Sequence, residues 1–372
     1  MANFIDYLTW RGDLSFEQDS FNEVDNILCS MLAYVDFAGI VPAKDEGSIL
    51  LYDAIGCFLE KYTEKEIGDM SYTVGLVLPL MKKITSCRRF ERVRVSDYIN
   101  EVDIQKGIQF SALTFLMEDR SLYIAFRGTD ESMVGWRENL SLSVVDKTPG
   151  QEMAISYVNN AMKRKRVPLW IGGHSKGGNL AVFAAVHCRE RIKKHIVAVY
   201  NNDGPGFLKE MVASEAYQAM LPKIKTIIPE ASIVGLLLEH EEDFEIIASQ
   251  KTGIWQHDAN HWQVEGNHFI RVSRTNDLSE FLDMTITSWL DKMDMKEREV
   301  FIEKIFTLLE EEKIETVKDL SSLRLDRWLE LIKKANSLNE GEADIIKKSI
   351  YTLWEEGQKS LKSLFSRKRP DK

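Results

Sequence analysis

No two cysteines in this sequence lie close enough to form a CxxC pair; the four, Cys29, Cys57, Cys87 and Cys188, are scattered along the chain. In a chain of 372 residues that pattern implies reduced, mostly buried thiols and a cytoplasmic setting rather than a disulfide scaffold. Long apolar runs are missing too. The longest, Tyr72 to Met81, is broken by Pro79 and is far too short to span a bilayer. The N-terminus, Met1-Ala-Asn-Phe-Ile-Asp-Tyr7, has an early acid and no cationic stretch ahead of an apolar block, which argues against a secretory signal. Nor is there an excess of positive charge. The formal net charge of −10 argues against general nucleic-acid binding, because a phosphate backbone needs a basic face. The exception is Gln358 to Lys372, with six Lys or Arg against one Asp. That tail offers weak contact with an anionic membrane surface, or is simply a solvated, frayed end.

There is also no internal repeat and no low-complexity linker. What remains, 44% hydrophobic and 28% charged residues, suits one large buried core or two modest ones. Residues 1–100 read as helical and irregular and are expected to pack on a core; Phe21 to Phe37 has apolar residues at helical spacing, stopped by Gly39 and Pro42. From 101 to 274 the pattern changes. Phe110 to Met117 and Leu122 to Phe126 read as a hairpin around Glu118-Asp119-Arg120-Ser121. A helix (Gln151 to Lys165), a strand (Val167 to Ile171), a helix (Gly178 to Cys188), a strand (Ile196 to Tyr200) and a helix (Phe207 to Met220) follow. Strands at Lys225 to Ile228 and Phe244 to Ala248 complete the set. This alternation predicts an α/β fold with a mostly parallel sheet flanked by helices. Residues 275–372 return to the helical period, in Ser279 to Met293, Glu297 to Glu311, Ser322 to Ser337 and Ala343 to Leu364.

Gly173-His-Ser-Lys-Gly177 fits G-x-S-x-G and stands between a predicted strand and a predicted helix. A serine forced into so tight a turn projects its hydroxyl, and only glycine two positions away on either side lets the chains pass that closely. Ser175 is therefore a candidate nucleophile; the plain alternative is a structural glycine-rich turn. A nucleophilic serine needs a base and a place for negative charge. Tyr123-Ile-Ala-Phe-Arg-Gly-Thr129 ends a strand so that the Thr129 N–H can face an oxyanion, with the Lys176 N–H as the second donor. Arg127 reads as a buried ion pair that ties the loop down.

Phe126-Arg-Gly-Thr129, Trp136, Asn139-Leu140 and Gly173-His-Ser-Lys-Gly-Gly-Asn-Leu-Ala181 together resemble the class-three (fungal-type) lipases of the α/β-hydrolase fold. Val199-Tyr200 leading to Gly204-Pro205 resembles a following strand and turn of that family. The resemblance covers roughly 108–270 and implies ester hydrolysis through Ser175, with Thr129 and Lys176 as oxyanion donors. The whole chain also resembles a bacterial family of lipase-like proteins built around this core. Lys176 stands where the lipases usually carry an apolar residue, and their Asp-Ile-Val-Pro acid segment corresponds to Ser232-Ile-Val-Gly235 here, without an Asp.

With chain order Ser, acid, His, the base should lie after residue 175. His187 and His195 fall on or just behind the helix that follows the serine, His174 suits packing or the turn, and His240 sits in an acidic run that reads as a solvated loop. His257 follows the last strand after a short loop and is the preferred base, ahead of His261 and His268. His257 and His261 are also spaced i, i+4, as a zinc pair on one helix face would be, but no glutamate follows the first, so no metal is assigned. No cofactor is called for. Two acids compete: Asp203, before the Gly204-Pro-Gly206 turn, and Glu230, close to where the lipases keep theirs. The expected function is hydrolysis of a small-molecule or lipid ester. The alternative is a hydrolase-fold protein that binds a partner through its C-terminal helices.

Overall fold

A computed structural model describes residues 1–103, 106–129, 133–251, 253–273, 275, 277–311 and 340–367. The expected helix Ser322 to Ser337 and the last five residues of the basic tail lie outside the described residues.

The centre is one eight-stranded sheet in sequential order: β1 (Ile49–Leu50), β2 (Arg94–Asp103), β3 (Ile108–Leu116), β4 (Leu122–Phe126), β5 (Leu169–His174), β6 (Ile196–Asn202), β7 (Ile224–Pro229) and β8 (Phe244–Ile247). The first three pairings are antiparallel and the last four parallel, so β4 to β8 run side by side in one direction. Parallel strands need crossovers, and the helical stretches between them supply these.

β2 is a correction to the reading of residues 1–100 as helical and irregular. Its pattern hides in the sequence because the strand is interrupted: the register shifts between Ser96 and Ile99, with Asp97 at φ 55°, and Asn100 to Val102 face solvent. A bulge breaks the two-residue alternation that identifies a strand.

Alternation along β4 separates two cores. Tyr123 and Ala125 face one, shared with α1 (Phe4–Arg11), α2 (Glu23–Leu32), α3 (Leu51–Lys61), α4 (Glu64–Met70) and α5 (Tyr72–Ile84). Leu122, Ile124 and Phe126 face the other, filled by α7 (Pro149–Ala161), α8 (Lys176–His187), α9 (Glu190–Lys193), α10 (Lys209–Val212) and α11 (Glu215–Met220). Burial on both faces explains why β4 reads as an unbroken apolar run.

Local signals start the helices that matter for the site. The Asn22 side chain accepts the N–H groups of Val24 and Asp25 while the Asp25 carboxylate accepts that of Asn22, a reciprocal cap for α2. Thr148 and Gln151 cap α7 in the same way, with Pro149 opening the helix. Between β4 and α7 lies α6 (Met133–Ser141).

The C-terminal helices are α12 (Asp277–Asp291), α13 (Met295–Glu311) and α14 (Glu340–Arg367). The Trp289 indole donates to Ser349 O at 2.8 Å and its ring meets Phe301 edge-on. Arg298 donates to Ser143 O at 3.1 Å, which joins α13 to the end of α6. Among the described residues no helix is long and apolar enough to cross a membrane.

Candidate active site

Register brings the parts together. Phe126 pairs with Gly173, and His174 with Asn202, so the ends of β4, β5 and β6 meet with Arg127, Ser175 and Asp203 as the next residues. The carboxyl ends of parallel strands are where an open α/β sheet offers a crevice.

Ser175 sits at φ 58°, ψ −132°, a strained conformation for an L-residue, between β5 and α8. The turn is held by Ser175 N–H to Asn202 O at 2.9 Å and Gly178 N–H to Ser175 O at 2.8 Å. A Cβ at Gly173 would run into Gly177, and one at Gly177 into Phe126 O, which is why glycine flanks the serine on both sides. Ser175 occupies the N-cap position of α8, yet its side chain makes no capping hydrogen bond. A serine there usually spends its oxygen on the first-turn amides; this one does not.

The Arg127-Gly128-Thr129 segment lies against the turn. A Cβ on Gly128 would meet His174 O at 2.5 Å and Ser175 Cβ at 3.1 Å. The next residue, Thr129, has its Oγ1 buried without a hydrogen-bond partner. Lys176 is 1% exposed, its ammonium paired with Glu138. Arg127 is also buried, 7% exposed.

Asp203, fully buried at φ 52°, accepts a hydrogen bond from His257 Nδ1–H on Oδ2 at 2.6 Å. Its other oxygen, Oδ1, takes the Ser232 hydroxyl, and Ser232 Oγ in turn accepts Gly235 N–H at 3.0 Å. Of the two acids proposed, the structure brings Asp203 to the imidazole. Glu230 joins the sheet edge through its N–H to Ile247 O at 3.0 Å, and no hydrogen bond links its carboxylate to His257. His257 is on a 3-10 turn, Gly253–His257, and His261 on a separate one, Ala259–His261, so the two share no helix face. His261 Nε2 lies 3.4 Å from Asp258, and His268 is exposed on a short strand.

His174 supports the site from below. Its Nε2–H donates to the carbonyl oxygen of His257 at 2.8 Å, which leaves Nδ1 to accept from Tyr34 OH at 3.1 Å. Burial, then the neighbouring His257 charge, pull its pKa from 6.5 down to about 3, so the ring stays neutral. A base with a depressed native pKa takes up its proton on unfolding first. Stability therefore falls as pH drops from about 6.5 towards 3, by about 1.4 kcal/mol per pH unit for this one group. Urea midpoints of wild type and His174→Gln between pH 7 and 4 should show the shallower slope in the variant. Equal slopes would mean that the ring titrates in the folded protein.

Further residues come from outside the motifs. Asn26 and Ser30 of α2 bond Asn202 and Tyr123; Asn26 Nδ2 reaches Asn202 Oδ1 at 2.8 Å and Asn202 Nδ2 reaches Gly173 O at 2.9 Å. Of these, the sequence shows only the helical period of Phe21 to Phe37. His240 is a correction: its side chain is buried, not solvated, with Nδ1 3.1 Å from Glu242. Although burial pushes the Glu242 carboxyl up, His240, Thr226 and Tyr217 hold it down at about 2. A cavity of about 750 Å³ lies between α7, α8 and the Gly206–Ser214 segment; Ser175, Asp203 and His257 do not line it.

A comparison with curated protein sequences finds no match. Among solved structures, a similar chain is that of the Rhizomucor miehei lipase propeptide complex, native, at 16% identity and a TM-score of 0.34. The match covers 42% of this chain and 57% of that one. The family model described as Mbeg1-like matches residues 84–307, more than half of the sequence and the stretch that holds every residue of the site above except those of α2 and Tyr34. The chain thus belongs to the Mbeg1-like family, a lipase-like family.

Proposed function

We propose that the protein is a cytoplasmic serine hydrolase of the α/β-hydrolase fold that cleaves a carboxylic ester as class-three lipases do. The catalytic unit is residues 101–274 together with β1 and β2, with the helices of the first hundred residues and the C-terminal region 275–372 attached to it. The observation that carries this reading is the 2.6 Å Asp203–His257 bond delivered from the strand end next to a strained serine whose hydroxyl caps nothing.

Ser175 Oγ attacks the ester carbonyl carbon while His257 Nε2 takes its proton, and the Asp203 carboxylate stabilises the resulting imidazolium. The tetrahedral oxyanion is met by the N–H groups of Thr129 and Lys176, with the unpartnered Thr129 hydroxyl beside them. Collapse expels the alcohol, which receives the proton from His257. Water, deprotonated by the same imidazole, then releases the acid. An activity-based fluorophosphonate should label wild type and leave Ser175→Ala unlabelled; equal labelling of both would end the reading. A second reading, partner binding through the C-terminal helices, is favoured by Tyr351 and Trp354, 63% and 62% exposed on α14. It requires no turnover on an ester panel.

A further inference from the structure

The Lys176 ammonium has no part in the reaction just described, yet it is enclosed with unusual completeness. Its Nζ lies 2.7 Å from Glu138 Oε2, and both side chains are 1% exposed. Nζ also donates to the carbonyl oxygen and to Oε1 of Gln109, each at 2.6 Å. The second Glu138 oxygen accepts the N–H of Gly150, the residue after Pro149 at the start of α7, at 3.0 Å. A hydrophobic pair of similar volume would pack as well or better than two buried charges, so stability alone does not account for this pair.

Its position does. Glu138 is on α6, and Gly135, one turn earlier, is pressed so close that a Cβ there would come within 2.6 Å of Thr129 Cγ2 and 2.8 Å of Gln109 Oε1. Contacts thus run from the Lys176 side chain through Gln109 and α6 to Thr129. The two ends of that path carry the two N–H groups assigned to the oxyanion.

We propose that Lys176 is a positioning residue. Its ammonium, with Glu138 and Gln109, clamps α6 to the nucleophile turn and sets the spacing between the Lys176 and Thr129 amides. This rests on the hydrolase reading above.

Either single substitution would strand a buried charge, so the test is the double variant Lys176→Met/Glu138→Leu, checked for a wild-type urea midpoint. Lost alignment of one donor should lower kcat by about 10²–10³-fold with KM unchanged. Amide exchange in residues 127–129 should quicken, and a trifluoromethyl ketone that mimics the tetrahedral state should bind more weakly by a similar factor. A well-folded double variant with wild-type kcat overturns the clamp. If wild type itself turns over no ester, the hydrolase reading falls; quickened exchange in the double variant would then support the clamp as a purely structural tie, and unchanged exchange would overturn it as well.

Discussion

Asp203→Asn should lower kcat for ester hydrolysis by about 10⁴-fold, the loss seen when a triad carboxylate becomes an amide. The size follows from the neighbours. Ser232 Oγ already accepts from Gly235 N–H, so its own O–H is the group given to Asp203 Oδ1. An asparagine that keeps its oxygen towards the Ser232 O–H turns its NH₂ towards His257. That donor forces the proton off Nδ1 and onto Nε2, and an imidazole protonated at Nε2 cannot accept from Ser175. Adding Ser232→Ala frees the amide to flip and should restore part of the rate, an interaction between two sites that simple additivity would miss. Glu230→Gln should change kcat little. Steady-state kinetics on one activated ester decides the matter. A rate for Asp203→Asn within tenfold of wild type would remove Asp203 from the relay.

Asp25→Ala should destabilise the protein by about 3–5 kcal/mol, the cost of leaving a buried charge without its partner. Arg89 and Asp25 have fully buried side chains and form two bonds, at 2.7 and 2.6 Å. The same guanidinium donates to the carbonyl oxygens of Leu14, Asp19 and Ser20, binding the irregular segment before α2 to the helix. Burial, then the Asp25 charge, push the Tyr7 phenol upward, so it donates to Asp25 instead of ionising. Since α2 carries Asn26 and Ser30 and leads to Tyr34, loosening it should reach the site through the Asn202 and His174 bonds. Urea unfolding measures the first effect. A loss under about 1 kcal/mol would mean that packing alone anchors α2.

Much of the core was legible because its signals are local. β3 to β8 and the helices α7 and α8 follow from apolar runs bounded by turns, each readable within a few residues. The predicted helix from Phe207 to Met220 is instead two short ones, α10 and α11, because a new start at Ser214 caps Tyr217 N–H and breaks the run. The helical reading of the N-terminal region matches α1 to α5 but missed β2 for a related reason: the bulge at Asp97 disrupts alternation, and the partner that makes β2 a strand is β3, not its own sequence.

The sequence by itself determined the tight turn at Ser175, since steric crowding around G-x-S-x-G is encoded within five residues, and it marked His257 and two acids as candidates. Only the tertiary structure shows that Asp203, not Glu230, is hydrogen-bonded to His257, because that depends on which strand end lies beside a loop 54 residues further on. The same holds for the Lys176–Glu138 pair, 38 residues apart, and for the Asn26–Asn202 bond, 176 apart. Hydrogen bonds and buried charges are satisfied over a few ångströms of space, and no periodicity along the chain records which distant groups will meet.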